Sequence, residues 1–140
     1  MDASGRLRAL KGRWRVLRAF RHAGGVRVRF DGVAEWRGDG EGLRCEERGR
    51  LDQGGASVEA SRTTLWRVEG SALAVRFADG RPFHLLPEGP CPAARHDCAP
   101  DLYLLRYDFR AWPLWSCRWH VSGPRKAYRA LARYRRLTGG

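Results

Sequence analysis

The sequence contains few cysteines, only two lysines and no long apolar run. Four cysteines in 140 residues are too few for the disulfide framework of a small secreted domain. A membrane-spanning helix needs roughly 18 consecutive apolar residues, and no segment comes near that length. Residues 1–8 also lack the apolar stretch of a secretory signal. We therefore expect an intracellular protein, cytoplasmic or organellar and not secreted, with no membrane span.

What the chain does contain is enough apolar material for one domain. Of its 140 residues, 43% are hydrophobic and 30% are charged, which suits a single domain over residues 1–140 and excludes two large ones. The net charge of +12 favours acidic partners or nucleic acid and does not determine the fold.

The basic residues are concentrated at the two ends of the chain. Residues 1–30 hold nine basic residues and one acid, and residues 118–140 hold seven basic residues and no acid. Residues 31–117 hold 11 basic and 14 acidic residues. If the two ends are neighbours in the fold, one face is strongly cationic and can dock on RNA, on an acidic protein surface or on a larger assembly. The candidate residues of this face are Arg129, Arg133, Arg135 and Arg136.

Apolar residues alternate with arginine or small residues in several segments. Val26, Val28 and Phe30, for example, share one face at the period-two spacing of a half-buried strand. Short glycine-containing sequences such as Asp79-Gly80 separate these segments and favour tight turns. The predicted strands cover residues 10–21, 25–37, 42–52, 56–68, 71–78, 82–86, 102–111, 114–122 and 126–136. Closing the sheet removes its unpaired edges, so we predict an all-β, single antiparallel up-and-down barrel of about eight to ten strands.

Two segments are less regular. Residues 87–100 hold four of the seven prolines, which predicts a long loop and a candidate lid over a binding site. Residues 128–136 fit either a helix or a strand, and the alternation of Tyr128, Ala130, Ala132 and Tyr134 favours the strand.

Four short blocks carry a family resemblance. They are the Gly-x-Trp of residues 12–14, DGRPFH of residues 79–84, HxCxxDxY of residues 96–103 and GPxKxY of residues 123–128. In this order they resemble a family of small lipocalin-like, calycin-type β-barrels catalogued as a domain of unknown function. The resemblance covers about residues 10–136, which we take as the core of the domain, and implies a lipocalin-like barrel with Trp14 at its floor. The sequence departs from the pattern at His120 and Ala127, where an arginine and an acidic residue are expected, and the family offers no established reaction.

Several polar side chains are expected at one mouth of this barrel. His84 ends one predicted strand and Asp101 begins the next, and in an antiparallel meander these positions lie at the same end. A barrel interior with indole and phenol groups and one or two arginines suits a small amphipathic or anionic ligand. The candidate ligand-binding residues at the mouth are His84, His96, Cys98, Asp101, Arg125, Lys126 and Tyr128.

The same residues leave other interpretations open. Cys91, His96 and Cys98, with His84, are candidate ligands of zinc or haem, although their spacing matches no standard zinc pair. Asp101 paired with a histidine can act as a general base, and Cys98 can act as a nucleophile. The side chains can also simply hold the loop in place. Because the sequence has no recognised catalytic motif, it favours a non-catalytic barrel, and we predict no catalytic residue, metal ligand or cofactor.

Glu46 and Glu47 are adjacent carboxylates. Adjacent strand residues point to opposite faces, so one of the two is expected inside the barrel. A buried carboxylate needs a cationic partner. The candidate partners are Arg44, Arg62, Arg106 and Arg118.

Overall fold

One short helix and ten antiparallel strands make up residues 1–137, which the computed structural model describes. The all-β class and the strand character of the last segment are confirmed. The elements are α1 Ala3–Leu10, β1 Gly12–His22, β2 Arg27–Gly38, β3 Leu43–Gln53, β4 Ala56–Glu69, β5 Ala72–Phe77, β6 Pro82–Leu86, β7 Ala93–Cys98, β8 Asp101–Asp108, β9 Trp115–Ser122 and β10 Ala127–Arg136. Residues 138–140 of the predicted domain lie outside the described residues.

The ten strands form one nearly closed barrel. Their order is β6-β5-β4-β3-β2-β1-β10-β9-β8-β7, so each strand pairs with its neighbour in sequence and β10 returns to pair with β1. Trp14 lies opposite Arg136, and His22 lies opposite Tyr128. Strands β6 and β7 contact each other, but no backbone ladder joins them within residues 1–137. We call this line between β6 and β7 the seam.

Helix α1 is not among the predicted elements; it precedes the first predicted strand, which begins at Gly12 rather than at residue 10. The Asp2 carboxylate caps it by accepting the Gly5 N–H at 2.7 Å. Ala3, Leu7 and Leu10 are spaced by four and three residues and are buried together on one side of the helix. No helix within residues 1–137 has the length and apolar character needed to cross a membrane.

The predicted loop over residues 87–100 is partly wrong, because residues 93–98 form strand β7. This strand pairs with β8, and His96 lies opposite Tyr103. All four prolines of the segment lie outside β7, at positions 87, 90, 92 and 100. Part of the segment is therefore wall of the barrel, and the carbonyl of Pro92 accepts the Tyr107 N–H at 2.9 Å.

Trp14 lies at the floor of the barrel against a basic residue of the last strand, as predicted. Its side chain is fully buried, and its indole N–H donates to the carbonyl of Leu10 at 2.8 Å. The Arg136 guanidinium lies 4.1 Å from the centre of the indole ring. Helix α1 and Trp14 thus close the end of the barrel that we call the floor.

Candidate functional site

The inner faces of the strands enclose a cavity of about 600 Å³. This volume is within the range of small-molecule sites, roughly 300–1,000 Å³. The end of the barrel opposite the floor carries the β1–β2, β3–β4, β5–β6, β7–β8 and β9–β10 turns, and we call it the mouth. The cavity reaches this end, since its lining includes Arg81, Pro82 and Cys98.

Four polar side chains form an ion cluster inside the cavity: Arg18, Glu47, Arg62 and Tyr134. Arg18 donates to both carboxylate oxygens of Glu47, at 2.9 and 3.1 Å, and to the hydroxyl of Tyr134 at 2.9 Å. Arg62 donates to the same carboxylate at 3.3 Å. The cluster joins β1, β3, β4 and β10 across the interior of the barrel.

Strand alternation places these groups inside. Arg18 lies on β1 between Val16 and Phe20, on the face that also carries the buried Trp14. Glu47 is two residues after the buried Cys45, while Glu46 on the opposite face pairs with Arg44 at 3.0 Å. The prediction that one of the two glutamates faces the interior, with Arg62 among its candidate partners, is therefore confirmed. Arg44 is paired on the outer face with Glu46, and the other two candidates, Arg106 and Arg118, are exposed.

The ion cluster carries a net positive charge. Burial alone would raise the pKa of Glu47, but the guanidinium groups of Arg62 and Arg18 lower it to about 2. Burial alone would lower the pKa of Arg18, but Tyr134 and Glu47 outweigh burial and raise it. At neutral pH, two guanidinium charges therefore share one carboxylate.

Arg62 is the member of the cluster that faces the open part of the cavity. Its side chain is 46% exposed, against 6% for Arg18 and 4% for Glu47. It uses only one nitrogen on Glu47 at hydrogen-bond distance, and a guanidinium has five N–H donors. Arg62 can therefore donate to a second anion without giving up Glu47.

Four buried nitrogen atoms on the cavity wall have no hydrogen-bond partner within residues 1–137: Arg18 Nε, Trp36 Nε1, His84 Nδ1 and Trp115 Nε1. A buried polar group without a partner is uncommon because it loses its hydration without compensation. The indole and guanidinium nitrogens are donors only. Three of the four are therefore donors without an acceptor in this part of the chain.

His84 lies deep on the wall and is neutral. Its Nε2 shares a hydrogen bond of 2.9 Å with the hydroxyl of Tyr107. Burial lowers its pKa to about 3, with smaller contributions from the charges of Arg62 and His96. His84 is therefore a polar, uncharged group at physiological pH.

The other predicted site residues lie at or near the mouth. His96 on β7 packs against Phe83 and Tyr103, with ring centres 5.2 and 5.5 Å away. Asp101 and Lys126 form an ion pair at 3.7 Å. The charges of Tyr103 and Asp101 raise the pKa of Lys126.

Three further candidates complete the mouth. Cys98 is an exposed free thiol that also lines the cavity. Tyr128 is half-buried on the wall, and Arg125 is exposed on the β9–β10 turn. The structure thus brings the predicted residues to one end of the barrel, with His84 deeper than the rest. Their part in ligand binding stays a prediction.

The predicted basic residues of β10 divide between the two faces of the strand. Arg129, Arg133 and Arg135 are exposed on the outer face. Arg136 points inward and donates to the carbonyls of Ala9 and Lys11, so it does not belong to the exposed face.

The alternative metal-ligand set is not brought together. The Cys91 thiol lies 3.7 Å from the carboxylate of Asp108, near the floor end of β8, whereas His96 and Cys98 lie toward the mouth. Within residues 1–137, no three His, Cys, Asp or Glu side chains are close enough to hold one metal ion. Cys91 and Cys98 are both free thiols.

Sequence reasoning missed two members of the ion cluster, Arg18 and Tyr134. The signal for Arg18 was present, since it shares the period-two face of Trp14 and Val16. Tyr134 is inward-facing on β10 by the same rule. Neither pattern shows that both side chains meet Glu47 of a third strand, because that contact requires the closed barrel.

Comparisons with known proteins agree with the fold. A model of the family of unknown function DUF6314 matches residues 10–136. No curated protein matches the sequence. The S-type phycobiliprotein lyase CPES from Guillardia theta has a similar structure, with a TM-score of 0.70 and 12% identity over 100% of this chain and 95% of that chain.

A second similar structure is a protein of unknown function of the DUF3598 family from Nostoc punctiforme PCC 73102. Its TM-score is 0.61 at 13% identity, over 94% of this chain and 49% of that chain. At these identities the two structures show a shared fold alone. The resemblance to a lipocalin-like barrel family of unknown function is confirmed.

Proposed function

We propose that this chain, which belongs to the DUF6314 family of unknown function, binds one small amphipathic molecule with an anionic group inside its barrel. The observation that carries this proposal is the ion cluster, in which Arg18 and Arg62 share the single carboxylate of Glu47. An anion placed against Arg62 neutralises the remaining positive charge in a partly desolvated site, where charge pairing is stronger than in water.

The remaining wall supports an apolar or aromatic body for the ligand. Trp36, Trp66 and Trp115 line the cavity together with Val75 and Leu105. Apolar walls with a few convergent polar groups are typical of small-molecule sites.

We propose binding without catalysis because the acidic and basic groups buried deepest in the cavity have pKa values far from neutral pH. The pKa of Glu47 is about 2 and that of His84 about 3. Burial raises the pKa of the Cys117 thiol to about 12, and burial also raises that of the Cys45 thiol. A general acid or base works best with a pKa near the working pH.

The ligand enters at the mouth in this proposal. The floor is filled by Trp14 and helix α1, whereas the Lys126–Asp101 ion pair and the exposed Cys98 lie at the other end. Lys126 and Arg125 add positive charge at the entrance, which favours the approach of an anion.

One of the similar structures bears the name of a phycobiliprotein lyase. That name makes an open-chain tetrapyrrole with carboxylate groups, a bilin, a reasonable compound to test here. The charged and apolar groups of the cavity require only a ligand with an anionic group on an apolar body, so a fatty acid is the simpler first probe.

The test is a fluorescence titration of the full chain at pH 7.5, in which the tryptophans of the cavity wall report occupancy. Hexadecanoate is compared with hexadecan-1-ol, which has the same chain length and no charge, and with the bilin biliverdin. We expect an anionic probe to bind at least tenfold more tightly than the alcohol. Arg62→Gln should remove that preference, since it deletes the exposed guanidinium and leaves the Arg18–Glu47 pair in place.

Arg48→Gln is the matched control, because Arg48 is exposed on the outer face of β3. It should bind all probes as the wild type does. If the alcohol binds as tightly as the acids, or if Arg62→Gln keeps the preference for the anion, the proposal is wrong.

A further inference from the structure

The outer face of the barrel carries six exposed arginines on neighbouring strands. They are Arg21 on β1, Arg27 and Arg29 on β2, Arg106 on β8, Arg118 on β9 and Arg129 on β10, and we call them the basic face. Because β1 pairs with β10, the two basic ends of the chain become neighbours here.

None of the six arginines is within ion-pair distance of a carboxylate in residues 1–137. Several arginines elsewhere on the outer surface are paired; Arg15 pairs with Asp31 at 2.9 Å, and Arg44 pairs with Glu46 at 3.0 Å. Asp52 on β3 lies opposite Arg29 on β2, and this acidic residue marks the border of the basic face.

The register places like charges directly opposite each other. Arg21 lies opposite Arg27 on one side and opposite Arg129 on the other. Arg106 lies opposite Arg118. Directly opposed like charges repel and destabilise a sheet. An anion bound between the two arginines replaces this repulsion by attraction.

The shape of this surface suits a ridge of negative charge. The arginines surround a shallow depression of about 920 Å³. The bottom of this depression includes Ala19, Ala93 and Leu131, whose side chains are shorter than the arginines around them. A guanidinium donates two parallel hydrogen bonds to a phosphate.

The aromatic residues of these strands point the other way. Phe20 and Trp119 turn their rings to the interior, where the rings meet edge to face at 5.9 Å and line the inner cavity, although both residues also border the depression. Proteins that bind single strands stack bases on exposed aromatic rings, and the basic face lacks such rings within the described residues. Contacts to the phosphates of a duplex need none.

We infer that the basic face docks on the phosphate backbone of double-stranded RNA without reading its sequence. The face spans β2, β1, β10, β9 and β8, which at about 4.8 Å between strands is roughly 19 Å wide. Both grooves of B-form DNA are deep, about 8.5 and 7.5 Å, whereas a broad face contacts a shallow groove more completely. The minor groove of A-form RNA is wide and shallow, with phosphates on both sides. This activity is separate from ligand binding in the cavity and does not depend on it.

The test is fluorescence anisotropy of a labelled RNA duplex of about 16 base pairs, the length that common double-stranded RNA modules span, titrated with the full chain at 50 and 200 mM salt. The triple variant Arg21→Gln, Arg118→Gln, Arg129→Gln should bind at least tenfold more weakly. Its plot of log affinity against log salt should be less steep by about three, one for each phosphate contact removed.

The control is the triple variant Arg44→Gln, Arg48→Gln, Arg50→Gln, which loses the same charge from the outer face of β3. It should keep wild-type affinity within about twofold and the wild-type salt dependence. Far-UV circular dichroism and the urea midpoint show that each variant is folded.

Three results overturn the inference. If the two triple variants weaken binding equally, net charge is responsible and the basic face is not a site. If a DNA duplex of the same sequence binds as tightly, the choice of RNA is wrong. If poly-L-glutamate displaces the RNA at equal charge concentration, the face is better assigned to an acidic protein surface.

Discussion

At the scale of single residues, the interior of this barrel contains polar groups whose chemistry is set by burial. The period-two pattern predicts which side chains point inward, and it correctly indicates one inward glutamate, with Arg62 among four candidate partners. It does not give depth along the barrel axis. His84 was expected at the mouth because its strand was predicted to lead directly to the strand of Asp101. Strand β7 lies between the two, so β6 ends toward the floor, and His84 lies on the inner wall, bonded to Tyr107.

The buried His84 predicts a pH dependence of stability. Its pKa in the folded protein is about 3, against an ordinary value of 6.5. Below pH 6.5 the unfolded chain takes up a proton that the folded chain does not, so the free energy of unfolding falls as the pH decreases toward 3. The slope from this residue approaches about 1.4 kcal/mol per pH unit.

Urea unfolding of the wild type and of His84→Gln at pH 7.5, 6.0 and 5.0 measures this contribution. The variant should lose this part of the slope, whatever its stability at pH 7.5. His120→Gln, in which the histidine is exposed, should keep the wild-type slope. A wild-type slope in His84→Gln would show that His84 is protonated as readily in the folded protein as in the unfolded chain.

At the scale of elements, most strands were predicted well, whereas helix α1 and strand β7 were not predicted. Strands carry a repeating signal of alternation and glycine turns, so nine of the ten observed strands correspond to predicted segments. Strand β7 was hidden by the prolines around it, which lie at its flanks rather than within it. Helix α1 has only eight residues, and its signal is the Asp2 cap with the spacing of Leu7 and Leu10.

Arg136 is predicted to hold helix α1 against the floor. It donates to the carbonyl groups of Ala9 and Lys11 at the C-terminal end of the helix and stacks on Trp14. These carbonyls have no partner within the helix. We expect Arg136→Ala to lower the free energy of unfolding by about 1.5–3 kcal/mol, the value of hydrogen bonds to a charged group.

The neighbouring exposed Arg135 supplies the control. Arg135→Ala should change the stability by less than about 0.5 kcal/mol, as is usual for surface positions. Urea denaturation followed by tryptophan fluorescence measures both variants and also reports the surroundings of Trp14. Equal effects of the two substitutions would contradict the role of Arg136.

At the scale of the whole molecule, one buried ion cluster connects strands that are distant in sequence. Glu47 on β3 receives hydrogen bonds from Arg18 on β1, Arg62 on β4 and Tyr134 on β10. Removing one partner of a buried ion pair leaves an uncompensated charge and costs about 3–5 kcal/mol. The closed barrel was predictable from the strand pattern, but this cross-barrel contact was not, since it joins residues up to 116 positions apart.

We predict that Glu47→Gln lowers the free energy of unfolding by about 3–5 kcal/mol at pH 7. The double variant Arg18→Met, Glu47→Leu should lose less, because it leaves Arg62 as a hydrated, half-exposed cation and no buried charge unpaired. Glu46→Gln, on the outer face of the same strand, should leave the urea midpoint close to that of the wild type, because exposed ion pairs contribute little. Urea unfolding at pH 7 measures all three, and a double variant less stable than Glu47→Gln would contradict this account.

The seam between β6 and β7 makes the circumference of the barrel adjustable. At every other junction between strands, widening the cylinder breaks a ladder of backbone hydrogen bonds. At the seam it separates only side chains. Phe83 and His84 on β6 and His96 on β7 line the same cavity. The edges of β6 and β7 can therefore move apart for a thicker ligand and approach each other for a thinner one. The barrel is thus a split ring, and under the proposed function its diameter can follow the size of the bound ligand.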